Sequence, residues 1–397
     1  MRPIAESAFW ACLFLLAYTY AGYPLLVWLR SSRHPRGVRS RNHTPAVSVV
    51  VVVRDESGRI DGRIENLRGL DYPRDRFEIL LASDGSTDDT VERARSHATE
   101  PLRVLDFGTR RGKPAVLNEV VPQAAGEIVV LADARQRFEA GALRALVAPF
   151  ADPSVGAVSG ELVLGANAAG TAVGEGVGFY WRYEKFIRRR ESAMDSTVGA
   201  TGAIYAIRRE LFEPIPEDTV LDDVLIPLRI ARRGYRTLFA PAARAHDRAA
   251  ASAGEEFRRK VRTIAGNFQL LARNPWLLDP GRNRLWFQTV SHKGLRLLTP
   301  GLLVSAFAAN VSLAESGLYA FALAGQVAFY AAAVSGFALR NLRARASLLT
   351  VPYMICLLSW ATVLGFLRFV TGRQRVTWEK ADQGNTEARF RESLRPI

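Results

Sequence analysis

Four long apolar runs constrain this 397-residue chain more than any other feature. One lies near the N-terminus and three lie toward the C-terminus: Phe9–Leu29, Leu297–Leu313, Leu318–Leu339 and Leu348–Val370. Each approaches the roughly 20 residues needed to cross a hydrocarbon core of about 30 Å, and none carries a charge before its end. The runs therefore predict membrane-spanning helices on both sides of one soluble segment.

The first run has two interpretations, a signal peptide or a retained anchor. No small-residue cleavage site follows it. Its aromatic residues are typical of side chains anchored at a membrane interface: Trp10, Tyr18, Tyr20, Tyr23 and Trp28. We therefore predict a retained anchor.

The net charge of +14 could indicate nucleic-acid binding, but the basic residues crowd beside the apolar runs. Such placement favours contact with an anionic lipid leaflet, and we expect no nucleic-acid partner. The two cysteines, Cys12 and Cys356, both fall inside apolar runs. This placement excludes a disulfide framework and a thiolate metal site.

Basic residues also predict the orientation of the soluble segment. A dense cluster follows the first run: Arg30, Arg33, Arg36, Arg39 and Arg41. By the positive-inside rule this cluster lies in the cytoplasm.

Four spans place the basic loop Arg340, Arg343 and Arg345 inside, but they place the basic tail outside. That tail contains Arg373, Arg375 and Lys380. In one alternative Leu297–Leu313 lies at the interface and does not span, which places the tail inside but the loop outside. In the other, Pro352 breaks the last run into a re-entrant hairpin. The sequence leaves both alternatives open.

Short apolar strands alternate with amphipathic helices between residues 44 and 250, which predicts an open α/β sheet of mostly parallel strands. The expected strands are Val47–Val53, Phe77–Ser83, Arg103–Phe107, Glu127–Ala132 and Val155–Leu164. Asp84 and Asp133 directly follow two of them, at the sheet edge where α/β folds bind ligands. Ser86 and Asp89 fit a capping box for the next helix.

Two amphipathic helices are expected beside the membrane. Residues 178–190 are aromatic and strongly basic, which favours a helix at the lipid headgroups, with an ordinary surface helix as the alternative. Residues 255–271 have helical periodicity. The expected organisation is an N-terminal span (1–30), a cytoplasmic domain (44–250), interfacial helices (251–295), C-terminal spans (296–372) and a basic tail (373–397).

Several short motifs occur in an order that resembles the membrane-bound family 2 glycosyltransferases, which include cellulose, hyaluronan and poly-N-acetylglucosamine synthases. The similar segments include Val53-Arg54-Asp55-Glu56, Ser83-Asp84-Gly85-Ser86, Asp133-Ala134-Arg135 and Leu221-Asp222-Asp223. The resemblance extends from Tyr20-Ala21-Gly22-Tyr23-Pro24 to Trp378-Glu379-Lys380. It implies an α/β domain of the GT-A type.

On the donor side, the resemblance implies that Asp55 contacts the base or ribose and that Asp84 binds uridine. Asp84 could instead cap the following helix. Lys113, in the loop Arg111-Gly112-Lys113, is implied to screen phosphate charge, or it is simply solvated.

Asp133 stands where the family has a metal-binding Asp-x-Asp motif, so the resemblance implies Mg²⁺ or Mn²⁺ held by Asp133 and the donor diphosphate. Arg135 replaces the second aspartate and cannot ligate a metal.

The acidic pair implies the chemistry. Asp223, with Asp222 beside it, matches the carboxylate that takes the acceptor's proton, although two acids could merely complement a helix dipole. Thr201 and Gly202 belong to the segment 198–209, which resembles the acceptor-binding segment. A buried turn would have the same composition.

Residues 259–263 stand where processive relatives carry Gln-x-x-Arg-Trp. Arg262 keeps the diphosphate-binding arginine and Arg259 is a second donor-side candidate, or a lipid-facing one. Thr263 lacks the indole on which a growing polymer would stack.

The resemblance thus implies an inverting transferase that moves a hexose or N-acetylhexosamine from a UDP-sugar to a growing polysaccharide or a lipid-linked acceptor. Its place would be the inner plasma membrane, and such enzymes can have accessory export subunits. Two alternatives remain, a non-catalytic receptor favoured by Arg135, and a transporter, which the nearly uncharged spans disfavour.

Overall fold

The computed structural model describes residues 2–165, 172–248, 253–315, 317–339 and 347–374. The strands are β1 (Val47–Val53), β2 (Phe77–Asp84), β3 (Leu102–Phe107), β4 (Ile128–Asp133), β5 (Arg137–Phe138), β6 (Val155–Leu164), β7 (Ile204–Arg208) and β8 (Arg236–Asp247). The helices are α1 (Arg2–Ala17), α2 (Tyr23–Arg33), α3 (Ile60–Arg68), α4 (Thr90–Ser96), α5 (Lys113–Val120), α6 (Ala142–Val147), α7 (Ala172–Met194), α8 (Asp222–Arg232), α9 (Ala253–Arg273), α10 (Trp286–Gln288), α11 (Leu295–Ser312), α12 (Gly317–Ala338) and α13 (Ser347–Val370). π-Helical turns at Tyr18–Gly22 and Thr289–Gly294 join α1 to α2 and α10 to α11.

Within these ranges the strands form one mixed sheet in the order β3-β2-β1-β4-β7-β6-β8-β5. The first four strands in this order run parallel, whereas β7 is antiparallel to both β4 and β6. β1 shows why the sheet is buried on both faces. Val49 and Val51 pack into one hydrophobic cluster, and Val50 and Val52 pack into the other. A continuous run of β-branched residues is what such a strand requires.

In the part of the chain that the structure describes, four helical stretches are long and apolar enough to cross a membrane: Arg2–Arg33, Trp286–Ser312, Gly317–Ala338 and Leu349–Val370. Large apolar side chains on them stay exposed, as lipid-facing residues would, including Phe321 (81% exposed) and Val304 (69%). α11 continues through Pro300, and α13 continues through Pro352. The alternative in which Pro352 breaks the last run into a re-entrant hairpin is therefore wrong.

A buried polar cluster joins the apolar helices at the two ends of the chain to helix α7 of the α/β domain. His292, in the π-turn before α11, lies 2.8 Å from Glu191 and 3.1 Å from Glu184 of α7. Tyr23 of α2 donates a 2.5 Å hydrogen bond to the same Glu191, and Arg296 pairs with Glu184. We call these five residues the interhelical clasp.

Two further expectations need correction or fall outside the structure. Ser86 does not cap α4, because its hydroxyl bonds Ser83 and the Asp55 N–H instead, and Asp89 makes no capping hydrogen bond. The basic loop at Arg340, Arg343 and Arg345, the tail residues Arg375 and Lys380, and the segment Trp378-Glu379-Lys380 lie outside the described residues.

Candidate active site

The site begins at the edge where β1, β2 and β4 end together. Asp84 is the last residue of β2, and its carboxylate accepts hydrogen bonds from the N–H groups of Arg111 (2.6 Å) and Gly112 (3.0 Å). Gly85 makes this approach possible, since it adopts φ +62° and a Cβ there would lie 2.5 Å from the Arg110 nitrogen. Asp84 therefore does not cap α4; it positions the loop that leads into α5.

That loop delivers Lys113, the first residue of α5, into a cluster of acids. Its ammonium lies 2.8 Å from Asp133 Oδ1 and 3.4 Å from Asp222 Oδ2, and the side chain is only 7% exposed. Burial alone would lower the pKa of Lys113, but the charges of Asp133 and Asp222 raise it above its ordinary value. Lys113 is thus a buried cation that joins two separate acids, not a solvated residue.

Asp133 ends β4 and is held ionised by surrounding cations. Burial acts to raise its pKa, but Lys113, Arg135 and Arg262 outweigh burial and keep the pKa below the ordinary value. Its second oxygen, Oδ2, lies 3.8 Å from where a Cβ on Gly202 would be. This oxygen faces residues 198–209, the segment that the sequence predicts to bind the acceptor and that we call the acceptor-side segment.

The acidic pair occupies the first turn of α8. Asp223 Oδ2 accepts a 2.9 Å hydrogen bond from the Gly202 N–H, and the Asp223 carbonyl accepts one of 2.8 Å from Ala200. Burial and the neighbouring charge of Asp222 raise the pKa of Asp223 to about 6, against the opposing charge of Lys113. A carboxylate with such a pKa is ionised at neutral pH yet basic enough to accept a proton.

The acceptor-side segment reaches the acids through its backbone. The Thr201 N–H donates to the Ser159 hydroxyl of β6 at 3.1 Å, and Thr201 is 9% exposed. Gly202 follows directly, and a Cβ there would lie 3.3 Å from Asp223 Oδ2. Both predicted acceptor residues therefore lie beside the proposed base.

Asp55 lies just after β1, at the same sheet edge, in a strained conformation with φ +51°. Its carboxylate accepts hydrogen bonds from the N–H (2.7 Å) and hydroxyl (3.2 Å) of Thr87. The residue thus braces the turn that follows Asp84. Strain of this kind concentrates at ligand-binding positions.

The two arginines predicted on α9 differ in their surroundings. Arg262 is close enough to Asp133 to lower its pKa, and its buried Nε has no hydrogen-bond partner among the described residues. Arg259 instead forms a 2.5 Å pair with Glu255, one turn earlier, and Thr263 is exposed. The structure brings Arg262 to the acids and gives Arg259 a local partner.

Sequence reasoning missed Asp247, the last residue of β8. It is 6% exposed, accepts a 2.8 Å hydrogen bond from Gln136, and lies 3.9 Å from Arg135. Burial acts against the charge on Arg135, yet Asp247 and Asp133 raise its pKa. The rule that identified Asp84 and Asp133, an acid at the end of an apolar strand, would have identified Asp247 had β8 been recognised.

A divalent ion would find few protein ligands here. Among the described residues there is no group of three His, Cys, Asp or Glu side chains arranged to hold a metal. Asp133 Oδ1 is paired with Lys113, which leaves Oδ2 as a ligand atom. Mg²⁺-type sites commonly use one or two carboxylates plus substrate phosphates, so the residues fit a metal that is held jointly with a diphosphate.

The chain is similar to known proteins in sequence and in fold. Residues 48–215 match the family model described as Glycosyl transferase family 2. The chain is similar to beta-monoglucosyldiacylglycerol synthase of Synechocystis sp., with 28% identity over 194 residues, 47% of this chain and 40% of that protein. It is also similar to poly-beta-1,6-N-acetyl-D-glucosamine synthase of Staphylococcus aureus, with 22% identity over 233 residues, 57% of this chain and 56% of that protein. The chain thus spans about half the length of these curated relatives.

Among solved structures, the chain is similar to a mannosyltransferase from Pyrobaculum calidifontis in complex with GDP-Man and Mn²⁺. The TM-score is 0.70 and the identity 26%, over 92% of this chain and 99% of that one. The likeness therefore covers the apolar helices as well as the sheet.

Proposed function

We propose that this chain, which carries a family 2 glycosyltransferase domain of GT-A fold, transfers a hexose or N-acetylhexosamine from a UDP-sugar with inversion at the anomeric carbon. The observation that carries the proposal is the position of Asp223, half-buried beside Gly202 with a pKa of about 6. The acceptor is a growing polysaccharide or a lipid-linked glycan at the cytoplasmic face of the inner membrane. Accessory export subunits would act only in the polysaccharide case.

In the proposed mechanism Asp223 is the general base. The acceptor hydroxyl enters beside Thr201 and Gly202 and gives its proton to Asp223. Its oxygen then forms a bond to the anomeric carbon while the bond from that carbon to the diphosphate oxygen breaks on the opposite face. Inversion follows from a single displacement.

The leaving diphosphate carries growing negative charge, and the cations of the site are arranged to meet it. Lys113 and Arg262 supply fixed positive charge, and Arg259 would need to leave Glu255 to join them. Asp133 Oδ2 would hold Mg²⁺ or Mn²⁺ together with the diphosphate, and such an ion neutralises the departing phosphate. Asp222 holds Lys113 in place from the acceptor side.

The nucleoside is proposed to lie against Asp55 and Asp84. Because the Asp84 carboxylate already accepts hydrogen bonds from the loop before α5, it would shape the nucleoside pocket as well as contact the ligand. Asp55, in its strained conformation just after β1, would offer carboxylate oxygens as hydrogen-bond acceptors to the nucleoside. We propose a UDP-sugar as the donor. The alternative is a GDP-sugar, because the similar mannosyltransferase is in complex with GDP-Man.

The deciding experiment incubates the purified full chain with lipid extract, a divalent ion and radiolabelled UDP-glucose, UDP-N-acetylglucosamine or GDP-mannose. Transfer from a UDP-sugar to lipid or polymer is expected. Asp223→Asn should lower turnover by roughly 10²- to 10⁴-fold while nucleotide still raises the melting temperature. The matched control is Asp218→Asn, an exposed acid near α8.

The outcomes separate the alternatives. Transfer from GDP-mannose alone would refute the UDP assignment, and full activity in Asp223→Asn would refute the base. A protein that binds nucleotide sugars without ever transferring them would favour the receptor function.

A further inference from the structure

Helix α8 has functional groups at both ends. Its first turn carries the acidic pair, and its last turns carry Arg229, Arg232 and, just beyond, Arg233. These arginines line a surface cavity of about 550 Å³. The lining residues are Glu213, Pro214, Arg229, Arg232, Arg233, Asn274 and Trp276.

The lining of the cavity carries more positive charge than is required to stabilise the C-terminal end of α8. Arg229 donates to the Pro214 carbonyl at 2.7 Å, and Arg233 lies 3.8 Å from Glu213, the one acid in the lining. Arg232 stacks over the Trp276 indole with its guanidinium 4.9 Å from the ring centroid. Cations at a helix C-terminus favour its dipole, but that effect needs neither a concave surface nor an aromatic wall. Three guanidiniums against one carboxylate fit an anionic ligand.

The position of the cavity identifies the source of that anion. Arg284 donates to the carbonyls of Gly234 (2.5 Å) and Tyr235 (3.2 Å), directly after α8. The candidate span Trp286–Ser312 begins two residues later. Leu278 and Trp286 beside it are 49% and 36% exposed, as apolar and aromatic residues at a membrane interface would be. The cavity therefore lies close to the start of a candidate span, where lipid headgroups would be in reach.

We propose that this cavity binds the phosphate of an anionic phospholipid headgroup in the cytoplasmic leaflet, and that occupancy steadies α8 and with it Asp223. The phosphate would pair with Arg229 and Arg233, and Arg232 would close over it from Trp276. Because α8 is one helix, restraint at its C-terminal end limits movement of its first turn. The effect on turnover rests on the proposed function, whereas the binding of lipid does not.

The test compares the full chain in nanodiscs of phosphatidylcholine with and without phosphatidylglycerol. The triple variant Arg229→Gln, Arg232→Gln, Arg233→Gln is matched by Arg74→Gln, Arg76→Gln, Arg103→Gln, which removes the same charge from exposed positions on the catalytic domain. If the triple variant does not fold, the single variant Arg232→Gln takes its place in the comparison. Retained phosphatidylglycerol is measured by native mass spectrometry, and sugar transfer is measured in parallel.

We expect the wild type and the matched control to retain phosphatidylglycerol over phosphatidylcholine, and the cavity variant to lose this preference roughly tenfold. Transfer should rise with phosphatidylglycerol in the first two proteins and not in the third. Equal retention by both variants would overturn the site. Binding of inorganic phosphate without any preference for phosphatidylglycerol would overturn the lipid assignment. Retention of phosphatidylglycerol without a rise in sugar transfer would overturn only the proposed effect of the cavity on α8, and not the lipid site.

Discussion

The Gly202 N–H donates a 2.9 Å hydrogen bond to Asp223 Oδ2. This bond joins the acceptor-side segment to the first turn of α8, two parts of the chain that sequence alone connects only by resemblance. It also engages one carboxylate oxygen and leaves the other for a proton. In the proposed mechanism, this one contact would position both the acceptor and its base.

The pH dependence of transfer should report the pKa of Asp223. The base works only when ionised, so kcat should fall as pH drops through about 6. Asp222→Asn removes a charge that raises this pKa and should move the acidic limb to lower pH. Lys113→Met removes a charge that lowers it and should move the limb to higher pH. Shifts in the same direction for both variants would contradict the assignment.

The space between the acids should tolerate no added methyl group. In Gly202→Ala the new Cβ would lie 3.3 Å from Asp223 Oδ2 and 3.8 Å from Asp133 Oδ2. We expect kcat/KM for the acceptor to fall on the order of ten- to a hundredfold, with an unchanged melting temperature. Gly141→Ala, where a Cβ meets nothing within 4 Å, is the control. Equal kinetics in the two variants would show that the acceptor does not pass Gly202.

Arg135 should govern the binding of free metal. In Arg135→Asp a second carboxylate replaces a cation near Asp133, so Mn²⁺ affinity without nucleotide should rise by roughly tenfold or more. Electron paramagnetic resonance of unbound Mn²⁺ measures this directly, independently of activity. Arg103→Asp, on the exposed edge of β3, makes the same charge change away from the site. A similar gain in both would mean that net charge, and not ligation, attracts the ion.

Arg236 should be the most costly arginine of β8 to replace. It is 1% exposed and donates to the carbonyls of Asp195 (2.9 Å), Gly37 (3.0 Å), Ser192 (3.1 Å) and Arg36 (3.2 Å). Arg236→Met leaves these acceptors unpaired and should lower the free energy of unfolding by roughly 3–5 kcal/mol.

The comparison for that change is Arg244→Met on the same strand. Arg244 is 52% exposed and lies 3.8 Å from Glu139, so its loss should cost less than about 1 kcal/mol. Denaturant unfolding in detergent measures both variants. Similar losses of unfolding free energy in the two variants would mean that water replaces the Arg236 side chain as hydrogen-bond donor to these carbonyls.

The sequence predicted strands best where burial dictated composition. The sequence predicts β1 and β6 with the bounds that the structure has: β1 is apolar except for Ser48, and β6 is mostly apolar and interrupted by Ser159 and Glu161. β7 was taken only for a stretch of small residues, and β8 was not anticipated, since its alanines and arginines do not stand out as a strand. The helices at 178–190 and 255–271 were found, within α7 and α9.

The site was predicted less evenly. Asp84, Asp133 and Asp223 follow from position and resemblance, and the structure brings Asp133 Oδ2 and Asp223 Oδ2 to within 3.8 Å and 3.3 Å of where a Cβ on Gly202 would be. The ion pairs of Lys113 and the contact between Arg135 and Asp247 depend on tertiary packing. No local pattern encodes which cation meets which acid.

The interhelical clasp sets the order in which the protein can be completed during synthesis. Tyr23 and Glu191 leave the ribosome long before His292 and Arg296 do, because domains emerge from the N-terminus onward. Until then Glu184 lacks Arg296 and both glutamates lack His292, and carboxylates without partners resist burial. The α/β domain therefore reaches its final packing against the apolar helices only after the second candidate span, Trp286–Ser312, has been made.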